Sequence, residues 1–298
     1  MSENPDPHVA TDDSGGDEYG TRLRLAEPKM FRRAGSEWEH LGDQAFFYWD
    51  SIRSIPRAVV SYRRETLRLI AEISMGTGAL AMIGGTVVVV GFLTLFTGGT
   101  IAVQGYSSLS DVGVEALTGF FSAFINVRIA IPVIAGIALA ATIGAGATAQ
   151  LGAMRVSEEI DALEVMAIPS VPYLVGTRIV AGLIAIIPLY ALASLASFVA
   201  SRFATTVLYG QSPGVYDHYF RTFLMPTDIL WSFLQAIAMA VGVMLVHTYH
   251  GYNTTGGPVG VGVAVGNAVR TSLVVVVVIT LITSLAIYGA SGKFNLSG

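Results

Sequence analysis

Five long intervals of this chain contain no Asp, Glu, Lys or Arg: residues 73–110, 129–154, 179–201, 229–269 and 271–292. An apolar helix needs about 20 residues to cross a hydrocarbon layer, so every interval is long enough. Two are longer than one crossing requires. In the first, Gly98–Gly99 and the polar stretch from Gln104 to Ser110 predict a helix near 74–97 and then a loop. In the fourth, Tyr252-Asn253-Thr254-Thr255-Gly256-Gly257-Pro258 predicts a loop after a helix near 228–249. The sequence thus predicts about five spans, near 74–97, 130–150, 176–201, 228–249 and 269–290. The Val274–Val278 run would favour a strand in water. In lipid an isolated strand leaves its backbone groups unpaired, so a helix is required. The apolar runs are also too long and continuous for the alternating strands of a membrane barrel.

Composition agrees. Hydrophobic residues make up 53% of the 298, and 13% are charged, about half the share of a soluble domain. The mean hydropathy is +0.62. A net charge of -4 gives a nucleic-acid partner no electrostatic footprint. Cys is absent, which excludes disulfides, thiol catalysis and Cys-ligated zinc. Residues 1–20 hold Glu3, Asp6, Asp12, Asp13, Asp17 and Glu18 without Lys, Arg or an apolar run, so they do not read as a signal peptide. The expected organisation is a disordered cytoplasmic tail over 1–35, an interfacial helix over 36–68 and a transmembrane domain over 69–298.

Basic residues near span ends set the orientation. Arg57, Arg63, Arg64, Arg68, Arg155, Arg178 and Arg270 fall on one side, against Arg128, Arg202, Arg221 and Lys293 on the other. The expectation is N-terminus inside and C-terminus outside, in a plasma (inner) membrane. Leu41, Ala45, Tyr48, Ile52, Ile55 and Val59 share one helical face. With Trp38, Trp49 and Tyr62 and the nearby arginines, they predict a helix over 37–64 lying on the inner leaflet, bent near Pro56. A second amphipathic segment, 112–127, is expected on the outer side before the second span, with Val114, Leu117, Phe121 and Phe124 on one face.

The connector between the second and third spans carries most of the chemistry. Ser157 suits a helix N-cap, Glu158, Glu159 and Asp161 suit the first turn, and Pro169 and Pro172 end it. Ile160, Leu163 and Ala167 form one stripe, and Glu158, Asp161 and Glu164 another. Glu159 is placed to pair with Arg155. A short acidic helix held between two spans could dock into a groove of a cytoplasmic partner, or could be a solvated connector. Spacing alone leaves both open.

This stretch resembles the MlaE/YrbE permeases of ABC-type lipid transporters. The resemblance rests on Gln150-Leu151-Gly152-Ala153-Met154-Arg155 and the acidic run through Glu158, Glu159, Asp161, Ala162, Leu163, Glu164 and Met166. Tyr173-Leu174-Val175-Gly176-Thr177-Arg178 and Gly251-Tyr252-Asn253 extend it, so that it covers about residues 65–290. The Ser-Glu-Glu-Ile-Asp-Ala-Leu-Glu form and the 256–262 loop resemble the B-type YrbE subunit of actinobacterial Mce systems. The resemblance implies an all-α integral membrane permease with about five spans, an interfacial helix and a cytoplasmic coupling helix. It implies lipid movement through a cavity between two protomers, powered by a separate cytoplasmic ATPase dimer that carries ATP and Mg, beneath a tube of Mce-domain proteins. It implies no catalysis and no cofactor on this chain. Arg155, Glu158, Glu159, Asp161 and Glu164 would serve ATPase coupling; Gln150, Gly152, Met154 and Arg178 are the motif positions. Gln150, Ile129 and Thr142 stand where relatives carry charged residues, which implies a heterodimer with a second YrbE-type permease. The cargo class stays open among fatty acids, mycolate-like lipids and sterols.

Other readings are weaker. An ion-coupled secondary transporter of a hydrophobic substrate normally carries ionisable groups at membrane depth, and apart from Arg178, Asp228 and Arg270 at span ends the predicted spans hold essentially none but His247, near an inner end. His247 and His250 sit one turn apart without a nearby acid or Cys, which reads as an interfacial pair and not a metal site. Asp217-His218 reads as a surface pair. The chain holds no Walker loop: Lys29 follows Pro28 and Lys293 precedes Phe294. Small residues in the first span allow close packing; Gly84, Gly85 and Val88 are candidates for the substrate path.

Overall fold

The computed structural model describes residues 29–75 and 79–289, with side chains described over 42–70 and 88–287. The chain divides into two units, Met1–Asp43 and Gln44–Gly298. Of the first, the stretch from Lys29 is helical, including the last residues of the expected tail; positions 1–28 lie outside the described residues. The side-chain contacts that follow all belong to the second.

Every regular element among the described residues is helical. Helices α1 (Lys29–Val60) and α2 (Arg63–Met75) lead in, followed by α3 (Ala79–Ser110). After a 3-10 turn at Glu115–Leu117 comes one long run of α4 (Thr118–Ile125), α5 (Ile131–Leu139) and α6 (Ala145–Val156), joined by π-helical turns at Asn126–Ala130 and Ala140–Gly144. The connector holds α7 (Glu159–Val165). A π turn at Val171–Gly176 opens α8 (Thr177–Phe203); α9 (Pro213–Phe223), α10 (Pro226–Tyr252) and α11 (Gly257–Thr283) complete the chain. Pro132 and Pro172 lack the amide that an α-helical register needs, and both fall at the edge or within a π turn.

Among the described residues, five stretches are long and apolar enough to span a membrane: Val88–Ser110, Glu115–Val156, Val171–Leu208, Pro226–Tyr252 and Gly257–Ile287. The chain is an all-α integral membrane protein with the expected number of spans, but several boundaries differ. Helix α3 continues through Gly98–Gly99 to Ser110. Gly98 is there for packing, since a Cβ on it would lie 2.6 Å from the Ser197 carbonyl oxygen of α8. The polar end of α3 is covered as well: Tyr106 stacks on Tyr209 at 4.2 Å. Residues 112–127 do not form a separate surface helix; from Thr118 they run straight into the second span, and Phe120 packs on Phe223 of α9 at 4.6 Å. Helix α11 begins at Gly257, well before residue 269, because Gly256 (φ 87°) and Gly257 (φ 68°) reverse the chain tightly after α10. Arg270 therefore lies inside a helix. Helix α1 passes through Pro56 and breaks only at Ser61–Tyr62. Its bundle side is made of Ser51, Ser54 and Ala58, small enough to sit against Gly176, which leaves Ile52 and Val59 of the apolar stripe exposed.

Helix α10 runs through the middle of the core, with Met239, Val243 and Met244 fully enclosed. Glycines on its neighbours make room: Gly136 faces Met239, and Gly182 faces Met244. A polar clamp ties α3, the second span and α8. Ser197 donates to Asn126 Oδ1 (2.7 Å), Asn126 donates to Ser201 Oγ (2.9 Å), and Ser201 donates to the Gly98 carbonyl (2.8 Å). All three side chains are buried, where a satisfied network is far cheaper than a broken one. The second and third spans are half buried in the bundle, whereas the last is 11% buried and forms its edge.

A Gly98→Ala change must push α3 off α8, because backbone and not a flexible side chain blocks the added carbon. Overpacking of this kind costs about 1–3 kcal/mol. Thermal unfolding of the detergent-solubilised protein should occur at lower temperature in Gly98→Ala and be unchanged in Gly99→Ala, where nothing lies within 4 Å of the new carbon.

Candidate functional site

The connector is built around one buried side chain. Ile160 of α7 is fully enclosed with Leu151 and Leu174, and Met154, Leu163, Tyr173 and Tyr252 pack around them. The expected stripe of Ile160, Leu163 and Ala167 is thus partly right: Ile160 anchors it, Leu163 is half-buried and Ala167 is exposed. Burial of one isoleucine contributes about 1.5–3 kcal/mol, enough to seat a two-turn helix that could not persist alone.

Both ends of α7 use left-handed backbone at residues that are not glycine. Glu158 has φ 60° and Ala167 has φ 59°. At the far end, Ile168 N–H bonds the Leu163 carbonyl (3.0 Å) and Ala167 N–H the Glu164 carbonyl (2.9 Å). That is the Schellman arrangement, which places Ala167 where glycine is usual. At the near end, Ser157 does not cap α7. It closes α6 instead, donating to the Ala153 carbonyl (3.0 Å) or to Glu159 Oε1 (3.0 Å). The left-handed conformation costs about 1–2 kcal/mol per non-glycine residue, so the connector holds strain at both of its corners.

The acidic residues part company. Arg155 pairs with Asp161 (Nη1 to Oδ1, 2.6 Å) and not with Glu159, because the left-handed residue at Glu158 swings α7 out of register with α6. Glu164 bends back towards the bundle while staying exposed: its Oε1 accepts from Ser170 Oγ (2.7 Å) and from Tyr252 Oη (3.1 Å), and the two hydroxyls lie 2.8 Å apart. Tyr252 is the last residue of α10, so this triangle fastens the connector to the turn before α11. The Arg155 guanidinium lies 6.0 Å from the Tyr252 ring centre. Phe47 of α1 packs on Tyr252 at 5.6 Å and on Tyr249 at 5.4 Å, bringing the lead-in helix to the same point. Glu158 and Glu159 stay exposed, and beside them Val165 and Met166 are 88% and 61% exposed. The free face of α7 is therefore acidic at one end and apolar at the other.

The motif positions fall around this connector. Arg178 donates to the Leu174 carbonyl (3.0 Å) and to Met154 Sδ (3.8 Å). Gly152 faces Thr254 and Val261, with a Cβ site 3.0 Å from Thr254 Oγ1. Gln150 is exposed on α6. Val88 is exposed on α3, while the side chains at 84 and 85 lie outside the described residues. Sequence reasoning missed the Glu164–Ser170–Tyr252 triangle. Tyr252 sits 88 residues from Glu164, and no local spacing signals such a contact.

The histidine reading also needs correcting. His247 is not open to its surroundings but fully buried in protein, its Nδ1 2.7 Å from Thr148 Oγ1 and its ring against Gly144. No group of three or more His, Asp or Glu side chains is placed to hold a metal among the described residues. Asp217 pairs with Arg202 through two hydrogen bonds (2.9 and 3.1 Å) and not with His218; those bonds hold its carboxyl below the usual carboxylate range. At the same end of the bundle, Arg128 bonds Asp228 (2.9 Å) and lies 4.1 Å over Phe124, while neighbouring Ile129 is exposed. Thr142 Oγ1 closes back on the Ala138 carbonyl (2.6 Å).

The class defined here is a multi-pass α-helical membrane protein with one ordered acidic helix held at a bundle end between two of its spans. The chain belongs to the MlaE permease family, whose profile, described as permease MlaE, matches residues 75–286. It is 26% identical over 165 residues to a probable ABC transporter permease protein of Synechocystis sp., covering 55% of this chain and 63% of that one. It is 28% identical over 161 residues to the chloroplastic protein TRIGALACTOSYLDIACYLGLYCEROL 1 of Arabidopsis thaliana, covering 54% of this chain and 46% of that one. A probable ABC transporter permease protein of Rickettsia bellii is 30% identical over 164 residues, 52% of this chain and 60% of that one. The chain thus spans about half to three fifths of the length of these curated relatives.

Relief or increase of strain at Ala167 should be visible in the connector itself. Ala167→Val places a branched side chain in left-handed backbone and should speed amide hydrogen exchange across 158–168. Ala167→Gly should slow it or leave it unchanged, because the lost strain offsets the added chain entropy. Exchange in α8 and α10 should not change in either variant.

Proposed function

We propose that the chain is the membrane permease subunit of an ABC transporter that moves lipid, and that it corresponds to the B-type YrbE subunit of an Mce system. The family match over 75–286 carries this reading, and the names of the relatives supply the ABC association. In this reading a cytoplasmic ATPase dimer grips α7, a second and different YrbE-type permease completes the transport path, and an Mce-domain tube receives or delivers the lipid. ATP and Mg belong to the ATPase, and this chain contributes no catalytic group. The basic residues near one set of helix ends favour an inner-membrane protein with its N-terminus inside and its C-terminus outside.

The hydrogen bonds within the connector support a narrower docking set than its whole acidic stripe. Asp161 and Glu164 are held by Arg155, Ser170 and Tyr252, so docking falls to the free face: Glu158, Glu159, Val165 and Met166. The inward network passes the motion on, from α7 through Tyr252 to α10 and α11. Binding and coupling are then separable. Glu158→Lys combined with Val165→Asp should weaken co-purification of the ATPase roughly tenfold, the effect of about 1.4 kcal/mol of lost contact. Tyr252→Phe should keep the ATPase bound while lipid transport falls. Wild-type binding and transport in both variants would show α7 to be a passive linker.

Orientation is tested in the same Cys-free background. A single Ser297→Cys should react with a membrane-impermeant maleimide from outside intact cells. Labelling only after the membrane is opened would reverse the proposed topology.

A further inference from the structure

The socket that holds Ile160 has two aromatic walls. Tyr173, in the π turn that opens α8, and Tyr252, at the end of α10, both pack around the cluster of Ile160, Leu151 and Leu174. Each is backed by an aromatic residue of the lead-in segment. Phe47 of α1 meets the Tyr252 ring at 5.6 Å. Tyr62, at the corner between α1 and α2, meets the Tyr173 ring edge-on at 5.2 Å.

The stretch between these two contacts lies close against the same π turn. Ser51, Ser54 and Ala58 are buried along one side of α1. A Cβ on Gly176, the last residue of the π turn, would lie 2.9 Å from Ser54 Oγ and 3.0 Å from the Ala58 Cβ. The segment is stiff as well, being helical from Phe47 through Val60, a rise of about 20 Å. Phe47 is held in turn by Tyr249 (5.4 Å), Tyr249 by Tyr48 (5.7 Å), and Gln44 donates to Tyr48 Oη (2.9 Å). At the other end Thr66 Oγ1 lies 3.2 Å from both the Ala58 and the Tyr62 carbonyls, closing the corner that carries Tyr62. A helix gripped at both ends moves as one body, so its displacement reaches both tyrosines.

The connector depends on where those rings stand. Hydrogen bonds weaken steeply with misalignment, and Tyr252 Oη bonds Glu164 and Ser170. Strained backbone persists only where its surroundings over-determine it, and the left-handed corners at Glu158 and Ala167 flank the helix that this socket holds.

We propose that α1 is a brace for the connector. Phe47 and Tyr62 are positioning residues that act through Tyr252 and Tyr173 to hold α7 in place. Phe47 governs the Glu164 end, and Tyr62 governs the Ile160 seat. Neither belongs to the outward face of α7, so displacing α1 loosens α7 while its docking face stays intact. Helix α1 is then a control point for coupling, separate from the docking surface. The brace is a property of the fold alone; its effect on transport rests on the reading of α7 as the element that the ATPase grips.

The test separates the two. The full-length chain is reconstituted in lipid nanodiscs without any ATPase, and amide hydrogen exchange is followed. Phe47→Ala should speed exchange across 164–168 about fivefold, on the scale of one lost aromatic pair. Tyr62→Ala should do the same across 159–163. Phe47→Tyr and Tyr62→Phe, which keep the rings, should match the wild type. Trp49→Ala removes an exposed ring from the other side of α1 and should leave the connector unchanged. Exchange around Met239 should not change in any variant. Unchanged connector exchange in both alanine variants overturns the brace. An equal increase in Trp49→Ala overturns it too, because the effect then comes from α1 leaving the lipid surface. With the ATPase added, Phe47→Ala should keep it bound while the lipid moved per ATP hydrolysed falls severalfold. Faster exchange with that ratio unchanged overturns the role of the brace in coupling, and with it the reading of α7. If Phe47→Ala is not monodisperse, Tyr62→Ala decides by the same criteria.

Discussion

A backbone surrounded by lipid has no water to bond, so its amides and carbonyls must find partners within their own helices. That constraint organises this chain. It turns the valine-rich run of α11 into a helix and carries α3 through two glycines. It also leaves Pro132 and Pro172 beside or within π turns, at Asn126–Ala130 and Val171–Gly176. Once the helices exist, hydrophobicity no longer drives them together, since lipid is as apolar as leucine. Close approach through small residues and internal hydrogen bonds takes over. Gly98 against Ser197, Gly136 against Met239, Gly182 against Met244 and the Asn126–Ser197–Ser201 clamp are the points where this happens.

The connector follows a different physics. It lies at a helix end, where polar side chains can be hydrated, and it is held by one apolar anchor and a few directed bonds. Ile160 seats it, and Glu164 and Tyr252 orient it. The left-handed corners at Glu158 and Ala167 keep it short and stiff. The result is a small rigid piece fastened to both α6 and α10, with acidic and apolar side chains left facing outward.

Much of this was legible in the sequence, because the spacing of charged residues reports directly on lipid exposure. The number of spans, the acidic connector and the loop at 253–256 could all be read that way. What could not be read depends on contacts distant in sequence. Gly98–Gly99 looks like a chain break until Ser197 is brought beside it. His247 looks accessible until Thr148 and Gly144 enclose it. Asp161 and Glu164 look free because their partners, a left-handed turn away or 88 residues on, leave no periodic trace. Arg270 looks like a span boundary because a helix that continues past a charge leaves the same pattern as one that ends there.

The meeting of α3 and α8 at Gly98 has a mechanical side. Backbone touches backbone there, and the Ser201 bond to the Gly98 carbonyl (2.8 Å) resists separation, yet nothing equivalent fixes Gly99 on the next face. The contact pins one point of the extended seam between α3 and α8. Helix α3 extends about 18 Å beyond it towards Ser110 and about 28 Å towards Ala79. Were α3 to tilt about this point, the Ala79 end would travel roughly one and a half times as far as the Ser110 end, by the ratio of those lengths, and in the opposite direction.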